Sequence, residues 1–263
     1  MKIKSFLVAF LPLALLAMLA HAQAPPIAPA QPELKILITP AVQPACEELS
    51  PVYLAQRHTA IKIETGGSMG TTGTAIPARL DRGEVFDVVI LFDASLDDLI
   101  RRGKVLPDSK VDLVNSDIGM AVKAGSPKPD IATLDALKKT LLAAKSITYT
   151  TGVSGVYVRD VMFPMLGIAD EMKAKTVMST SSGDTVVEGK AEIGFQQVSE
   201  LMPVKGLDIQ ALPHAAAKPS VFSAGIPVNA PHPKEAREYI QWLASPAAYE
   251  AIRKAGLDPF HAK

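Results

Sequence analysis

A single cysteine, Cys46, occurs in the 263 residues, so the chain forms no internal disulfide framework and no cysteine-based zinc or iron–sulfur site. Net charge is also missing: 27 Lys and Arg face 27 Asp and Glu. That balance excludes the basic signature of a nucleic-acid binder, which draws its affinity from counterions released by many Lys and Arg. No internal repeat is visible, and no glycine loop ends in Lys-Ser/Thr as a nucleotide P-loop does. Gly-x-Gly-x-x-Gly is absent too. His58, His214, His232 and His261 stand neither with a Ser/Asp pair nor at metal-ligand spacing, which speaks against a hydrolase triad and a zinc enzyme. No metal and no cofactor is expected.

Long apolar runs are confined to the N-terminus. Lys2 and Lys4 precede an apolar stretch from Phe6 to Leu19, and Ala20-His21-Ala22 supplies small residues at the cleavage positions. The run falls short of the ~20 residues that span a bilayer, so residues 1–22 read as a secretory signal peptide rather than an anchor. Cleavage after Ala22 removes two lysines and leaves the remainder slightly acidic. Residues 23–33, rich in Pro, Ala and Gln, read as a tether that cannot bury a core. The expected location is the periplasm.

Beyond the tether, apolar runs of strand length alternate with helical periodicity. Lys35–Thr39, Ile61–Glu64 and Asp87–Leu91 are such runs, and helices carrying Cys46 and Leu49, and then Leu96 and Leu99, lie between and after them. Continuous apolar strands alternating with helices indicate parallel βαβ units covered on both faces. A second set comprises Ser146–Tyr149, Thr176–Met178 and Glu192–Gln196. Extended segments near 111–123 and 221–228 flank it, and helices at Pro233–Leu243 and Pro246–Ala255 close the chain. This order predicts two lobes joined by a double crossover, 34–120 with 224–263 in one and 121–223 in the other. Ligands of such sheets bind outside the carboxyl ends of the strands, in the cleft between lobes.

Two loops carry anion chemistry. Thr65–Thr74 holds four glycines and several hydroxyls between a strand and a helix, so Ser68, Thr71 and Thr72 are candidate donors to an anion. An ordinary helix-capping loop has the same composition. Thr150–Gly155 runs from a strand into a helix, with Ser154 as expected N-cap and Gly155, Tyr157 and Arg159 following. Tyr157 either faces the cleft or packs, and Arg159 either pairs with a carboxylate ligand or is solvated. Ser179–Asp184 has the form of a helix-capping turn.

The order of these elements resembles the type II periplasmic solute-binding proteins, nearest the molybdate-binding family. The points of likeness are Leu80-Asp81-Arg82-Gly83, Phe86–Ile90, Asp93–Leu99, Ser154-Gly155-Val156-Tyr157, Val187–Phe195 and Ser199-Glu200. The resemblance implies an α/β fold of two mixed sheets flanked by helices with a double crossover hinge. It implies a monomer that captures a small anion in the cleft, at Pro40, Ala41, Ser68, Thr71, Thr72, Ser154, Gly155, Tyr157, Arg159 and Gln197, for an ABC importer's membrane subunit. The chain departs from the family at Thr39-Pro40-Ala41, where Ala41 stands in place of a serine, and at Thr71-Thr72-Gly73. A tetrahedral oxyanion needs a full ring of neutral donors, so an organic carboxylate met by Arg79 and Arg159 fits as well as molybdate. Proteins resembling this family include periplasmic aconitate isomerases, so a proton shift in an unsaturated tricarboxylate is the alternative function. Such a shift needs a base and donors to the developing charge, for which Glu64, Asp93 and Tyr157 are the candidates; capping or a surface charge is the commoner role for each of the two acids.

Overall fold

The computed structural model describes residues 33–261, so the expected signal peptide and the tether up to residue 32 lie outside them. Glu33, expected to end the tether, already pairs with Ala60 as the first residue of β1 (Glu33–Ile38). There follow α1 (Gln43–Arg57), β2 (Ala60–Thr65), α2 (Ile76–Asp81), β3 (Val88–Phe92), α3 (Asp93–Arg101) and β4 (Val111–Ser116). The chain then builds β5 (Ile118–Lys123), α4 (Leu134–Ala143), β6 (Ile147–Tyr149) and a helical run formed by α5 (Val153–Tyr157), a π-helical turn (Val158–Met162) and α6 (Phe163–Leu166). Next come α7 (Ala169–Lys175), β7 (Thr176–Met178), α8 (Ser182–Val187), β8 (Ile193–Gln197), α9 (Val198–Leu201) and β9 (Leu207–Ala211). It closes with β10 (Ser220–Gly225), α10 (Pro233–Leu243), α11 (Tyr249–Lys254) and β11 (Asp258–Pro259).

Two mixed sheets result, in the orders β11-β4-β10-β3-β1-β2 and β7-β6-β8-β5-β9. Strands β1, β2 and β3 run parallel, as do β6, β7 and β8, while β10 and β5 run antiparallel to their neighbours. The extended stretch around 111–123 is two strands in two different sheets, separated by Asp117 alone. The chain leaves the first sheet after Ser116 and re-enters it at Ser220. Both crossings come slightly before the positions 120 and 224 at which the apolar runs had placed them, because Ile118 already pairs in the second sheet and polar Ser220 already pairs in the first.

The apolar runs of β1 and β3 are explained by burial on both faces. Ile36, Ile38, Val88 and Ile90 pack with Cys46, Tyr53, Phe222 and Trp242, while Leu37, Val89 and Leu91 pack on the other side with Ile76, Leu96 and Leu99. Each such side chain contributes about 1.5–3 kcal/mol by leaving water. The second lobe has its own core, in which Phe163 stands edge-on to both Tyr149 and Phe195. A buried carboxylate ties the returning chain to the first lobe: Asp87 accepts from the Lys35 amide at 2.8 Å and from the His232 amide at 3.0 Å. That contact fixes where α10 begins.

Candidate functional site

The hinge connectivity decides where the site lies. Ile118, the first residue of β5, pairs with Gln197, the last of β8, and Phe222 near the start of β10 pairs with Phe92, the last of β3. Both crossings therefore sit at the carboxyl ends of the parallel strands, and those ends of both lobes open onto one cleft. Lobe-to-lobe contact is made beside it. Helix α9 packs against the Pro40–Val42 turn, and Gly256 lies so close to Met202 and the Ser199 amide that a Cβ there would come within 2.5 Å of the Met202 sulfur.

Gln197 spans the two crossings. It is 1% exposed, its Oε1 accepts from the Ser220 hydroxyl at 3.1 Å, and its Nε2 donates to the Asp117 carbonyl at 3.1 Å and reaches the Ser116 hydroxyl at 2.9 Å. A residue expected to touch ligand is thus also the pin of the hinge.

In the first lobe, β1 ends in a turn that holds buried Thr39 and Ala41, with Pro40 exposed. Ser68 is buried and its hydroxyl accepts from the Phe92 amide at 3.1 Å, which joins the glycine loop to the end of β3. The loop closes on itself: the Gly66 α-carbon leaves no room for a Cβ, which would lie 2.4 Å from the Thr74 carbonyl, and the Ile76 amide donates to the Gly67 carbonyl. Thr71 and Thr72 stand exposed on its outer part. Asp93 opens α3 at the end of β3, and its Oδ1 accepts from the Ala94 amide at 2.6 Å.

Glu64 and Arg79 hold one another. The Arg79 guanidinium sits 2.5 Å from Glu64 and 2.7 Å from Glu84, over the ring of Phe86, so both residues brace the outer edge of the lobe. In the second lobe the expected N-cap, Ser154, is instead the second residue of α5. Gly152 is the cap and uses no side chain, because the tight turn from Thr150 starts the helix earlier. Ser154 is buried, and Gly155 admits no side chain, since a Cβ would lie 1.7 Å from the Thr150 carbonyl. The Tyr157 hydroxyl donates to the Ala216 carbonyl at 3.0 Å, and burial pushes its pKa up. Arg159 is exposed and paired with Asp160 at 2.6 Å.

The helix-capping turn expected at Ser179–Asp184 is present, and the structure adds Gln196 and Glu200, which the sequence pattern did not mark as site residues. Ser181 caps α8, accepting from the Asp184 amide, and the next residue, Ser182, is fully buried with no hydrogen-bond partner for its hydroxyl. The Ser182 amide donates to Gln196 Oε1 at 2.9 Å, and Gln196 Nε2 donates to Glu200 at 3.0 Å. Burial displaces the Glu200 carboxyl upward, against the hydrogen bonds from Gln196 and the Gln197 amide that lower it. Two adjacent glutamines at the end of an apolar strand were the available signal. A cavity of about 700 Å³ lined by Thr151, Ser179, Ser181 and Thr185 adjoins this face, whereas a depression of about 560 Å³ around Val122, Pro127 and Ile193 lies at the far end of the lobe. Among the described residues no group of three or more His, Cys, Asp or Glu is placed to hold a metal ion.

Comparison with known proteins agrees with this architecture. Residues 34–258 match the family model described as bacterial extracellular solute-binding protein. A protein from Pseudomonas sp. named aconitate isomerase is 40% identical over 243 residues, which cover 90% of this chain and 93% of that one. Among solved structures, the periplasmic molybdate-binding protein of Azotobacter vinelandii is similar with a TM-score of 0.69 at 22% identity, over 85% of this chain and 98% of that one. The sulfate-binding protein SubI of Mycobacterium tuberculosis H37Rv gives 0.71 at 15% identity, over 88% of each. The hinge, the paired sheets and a family match running almost from the first described strand to the last place this chain among the bacterial extracellular solute-binding proteins, the family to which it belongs.

Proposed function

We propose that the cleft captures a small polycarboxylate anion and that the protein interconverts the isomers of aconitate by moving one proton. The observation that carries the reading is the 40% identity, over nine-tenths of the chain, to a protein named aconitate isomerase. The cleft chemistry supports it. A polycarboxylate needs many donors, and hydroxyls, amides and glutamines line the strand ends while Arg79 and Arg159 are engaged by neighbouring carboxylates. An anion held this way is neutralised by oriented dipoles and not by a compensating cation. Ser68, Thr71 and Thr72 on one lobe and Ser154, Gly155 and Gln197 on the other are the proposed ligand-binding positions, with Pro40, Ala41, Tyr157 and Arg159 around them. Hinge closure about Asp117 and Ser220 would exclude water from the bound anion.

Capture for an ABC importer's membrane subunit is the second reading, favoured by the family description. In both readings the protein is exported to the periplasm as a monomer, its leader removed after Ala22. Incubation of the purified protein with cis-aconitate, followed by chromatographic separation of the isomers, tests the choice. Appearance of the trans isomer supports the isomerase. A rise in melting temperature at an unchanged isomer ratio supports the binder instead.

A further inference from the structure

Three acids stand near strand ends that open on the cleft, and their surroundings differ. Glu64 is neutralised by Arg79 on the outer edge of the first lobe. Asp93 spends one oxygen on the amide that follows it. Glu200 pairs with no cation among the described residues. It lies in the first turn of α9, the element wedged between the end of β8 and the Pro40–Val42 turn of the opposite lobe. Its carboxylate accepts from Gln196 Nε2 at 3.0 Å and from the Gln197 amide, Gln196 in turn accepts from the Ser182 amide, and the buried Ser182 hydroxyl beside it lacks a partner. The residue as a whole is half-buried, neither sealed in the core nor free in solvent.

Given the isomerase reading, we infer that Glu200 is the catalytic residue that carries the proton, with Gln196 as the residue that positions it. The ionised carboxylate takes a proton from the methylene carbon of the bound aconitate. The electron pair of the broken C–H bond spreads over the three-carbon allyl unit and the carboxylates attached to it. The protonated Glu200 then returns the proton to the other terminal carbon, and the double bond has moved by one position. One proton leaves and one arrives, so no oxidant, reductant or second substrate is needed. The new double bond forms where the single bond was, so the conformation held about that bond when the proton leaves sets which isomer is produced.

A base of this kind works best when its basicity is raised toward the working pH, and burial acts on Glu200 in that direction. The charged groups on the elements packed around α9 are Lys123 on β5, Asp184 on α8 and Asp208 on β9. None of them contributes to the displacement.

The test compares wild type, Glu200→Gln and Asp93→Asn for aconitate turnover across pH. Glu200→Gln is expected to lower kcat about 100-fold or more, the usual worth of a positioned base, with KM within about threefold. The acid limb of the wild-type kcat/KM profile should vanish from its residual activity, a change that a merely structural role would not produce. Turnover by Glu200→Gln within about threefold of wild type overturns the assignment, as does an unchanged acid limb or a loss confined to Asp93→Asn. Should Glu200→Gln fail to fold, Glu200→Asp decides: lowered kcat with a shifted acid limb supports the role, and unchanged values refute it. A wild type that binds aconitate without converting it removes the isomerase reading itself, and the assignment with it.

Discussion

Replacing Gln197 by leucine isolates the pin between the lobes. The side chain is almost the same size, so the substitution removes polarity with little change in volume. It strands the Ser116 and Ser220 hydroxyls, which are buried and which Gln197 joins at 2.9 and 3.1 Å, while the Asp117 carbonyl keeps the Val198 amide as its donor. Each buried polar group left unpaired costs about 1–3 kcal/mol. Two hydroxyls therefore set a loss of roughly 2–6 kcal/mol, part of which the leucine offsets by burial. For a domain of this size that corresponds to a fall in melting temperature of roughly 5–20 °C. The assay is chemical denaturation of the single variant beside the triple variant Gln197→Leu, Ser116→Ala, Ser220→Ala. Replacing both hydroxyl partners with apolar groups should recover most of the loss, because the penalty comes from unpaired groups rather than from the missing bonds. A single variant within about 0.5 kcal/mol of wild type, or a triple variant no better than the single, would refute the pin.

Other consequences follow from the same contacts. Gly155→Ala forces the Thr150–Ser154 turn to move, since its Cβ would meet the Thr150 carbonyl; ligand affinity measured by titration calorimetry should fall about tenfold or more, and unchanged affinity would place that turn outside the site. Cys46 is buried and its thiol is pushed up to about 12, so only about one part in ten thousand is thiolate at pH 8. An aromatic disulfide reagent should leave the native protein untouched and label it once denatured; prompt labelling of the native state would contradict its burial. Glu200 has its folded pKa raised, so its contribution is fully present below the unfolded carboxyl pKa and is lost as pH rises through the folded value. Glu200→Gln should accordingly gain in melting temperature relative to wild type at pH 8 more than at pH 4, and an equal difference at both pH values would count against the buried carboxylate.

Much of the architecture was readable because strands β1 and β3 are covered on both faces and so carry unbroken apolar runs. Pro233–Leu243 was legible down to its ends, since Pro233 stands at its first position and its apolar face repeats at helical spacing. Strand β9 was not, because it lies at the edge of its sheet, half-buried from Leu207 to Gln210 and exposed at Ala211, and shows neither alternation nor a run. Helix α4 carries a Thr133 cap and buried Leu137 and Leu141, signals that were present but hidden behind the Pro-rich stretch before them. The site was less legible for a different reason. Composition marked the hydroxyl loops, yet whether a side chain faces ligand or its own neighbours depends on partners far away in sequence. Arg79 meets Glu64 fifteen positions back, Tyr157 reaches Ala216, and Gln197 joins residues from both crossings. Glu200 read only as part of a family pattern until the fold set it beside Gln196 and between the lobes.

The central claim is that the cleft of this solute-binding fold moves a proton on the anion it holds. Proton NMR of aconitate incubated with the purified protein in deuterated water measures that step directly. Conversion between cis and trans isomers is expected, with solvent deuterium entering the terminal carbons when the proton on the base exchanges before its return. Aconitate that raises the melting temperature yet stays unconverted and free of deuterium would contradict it.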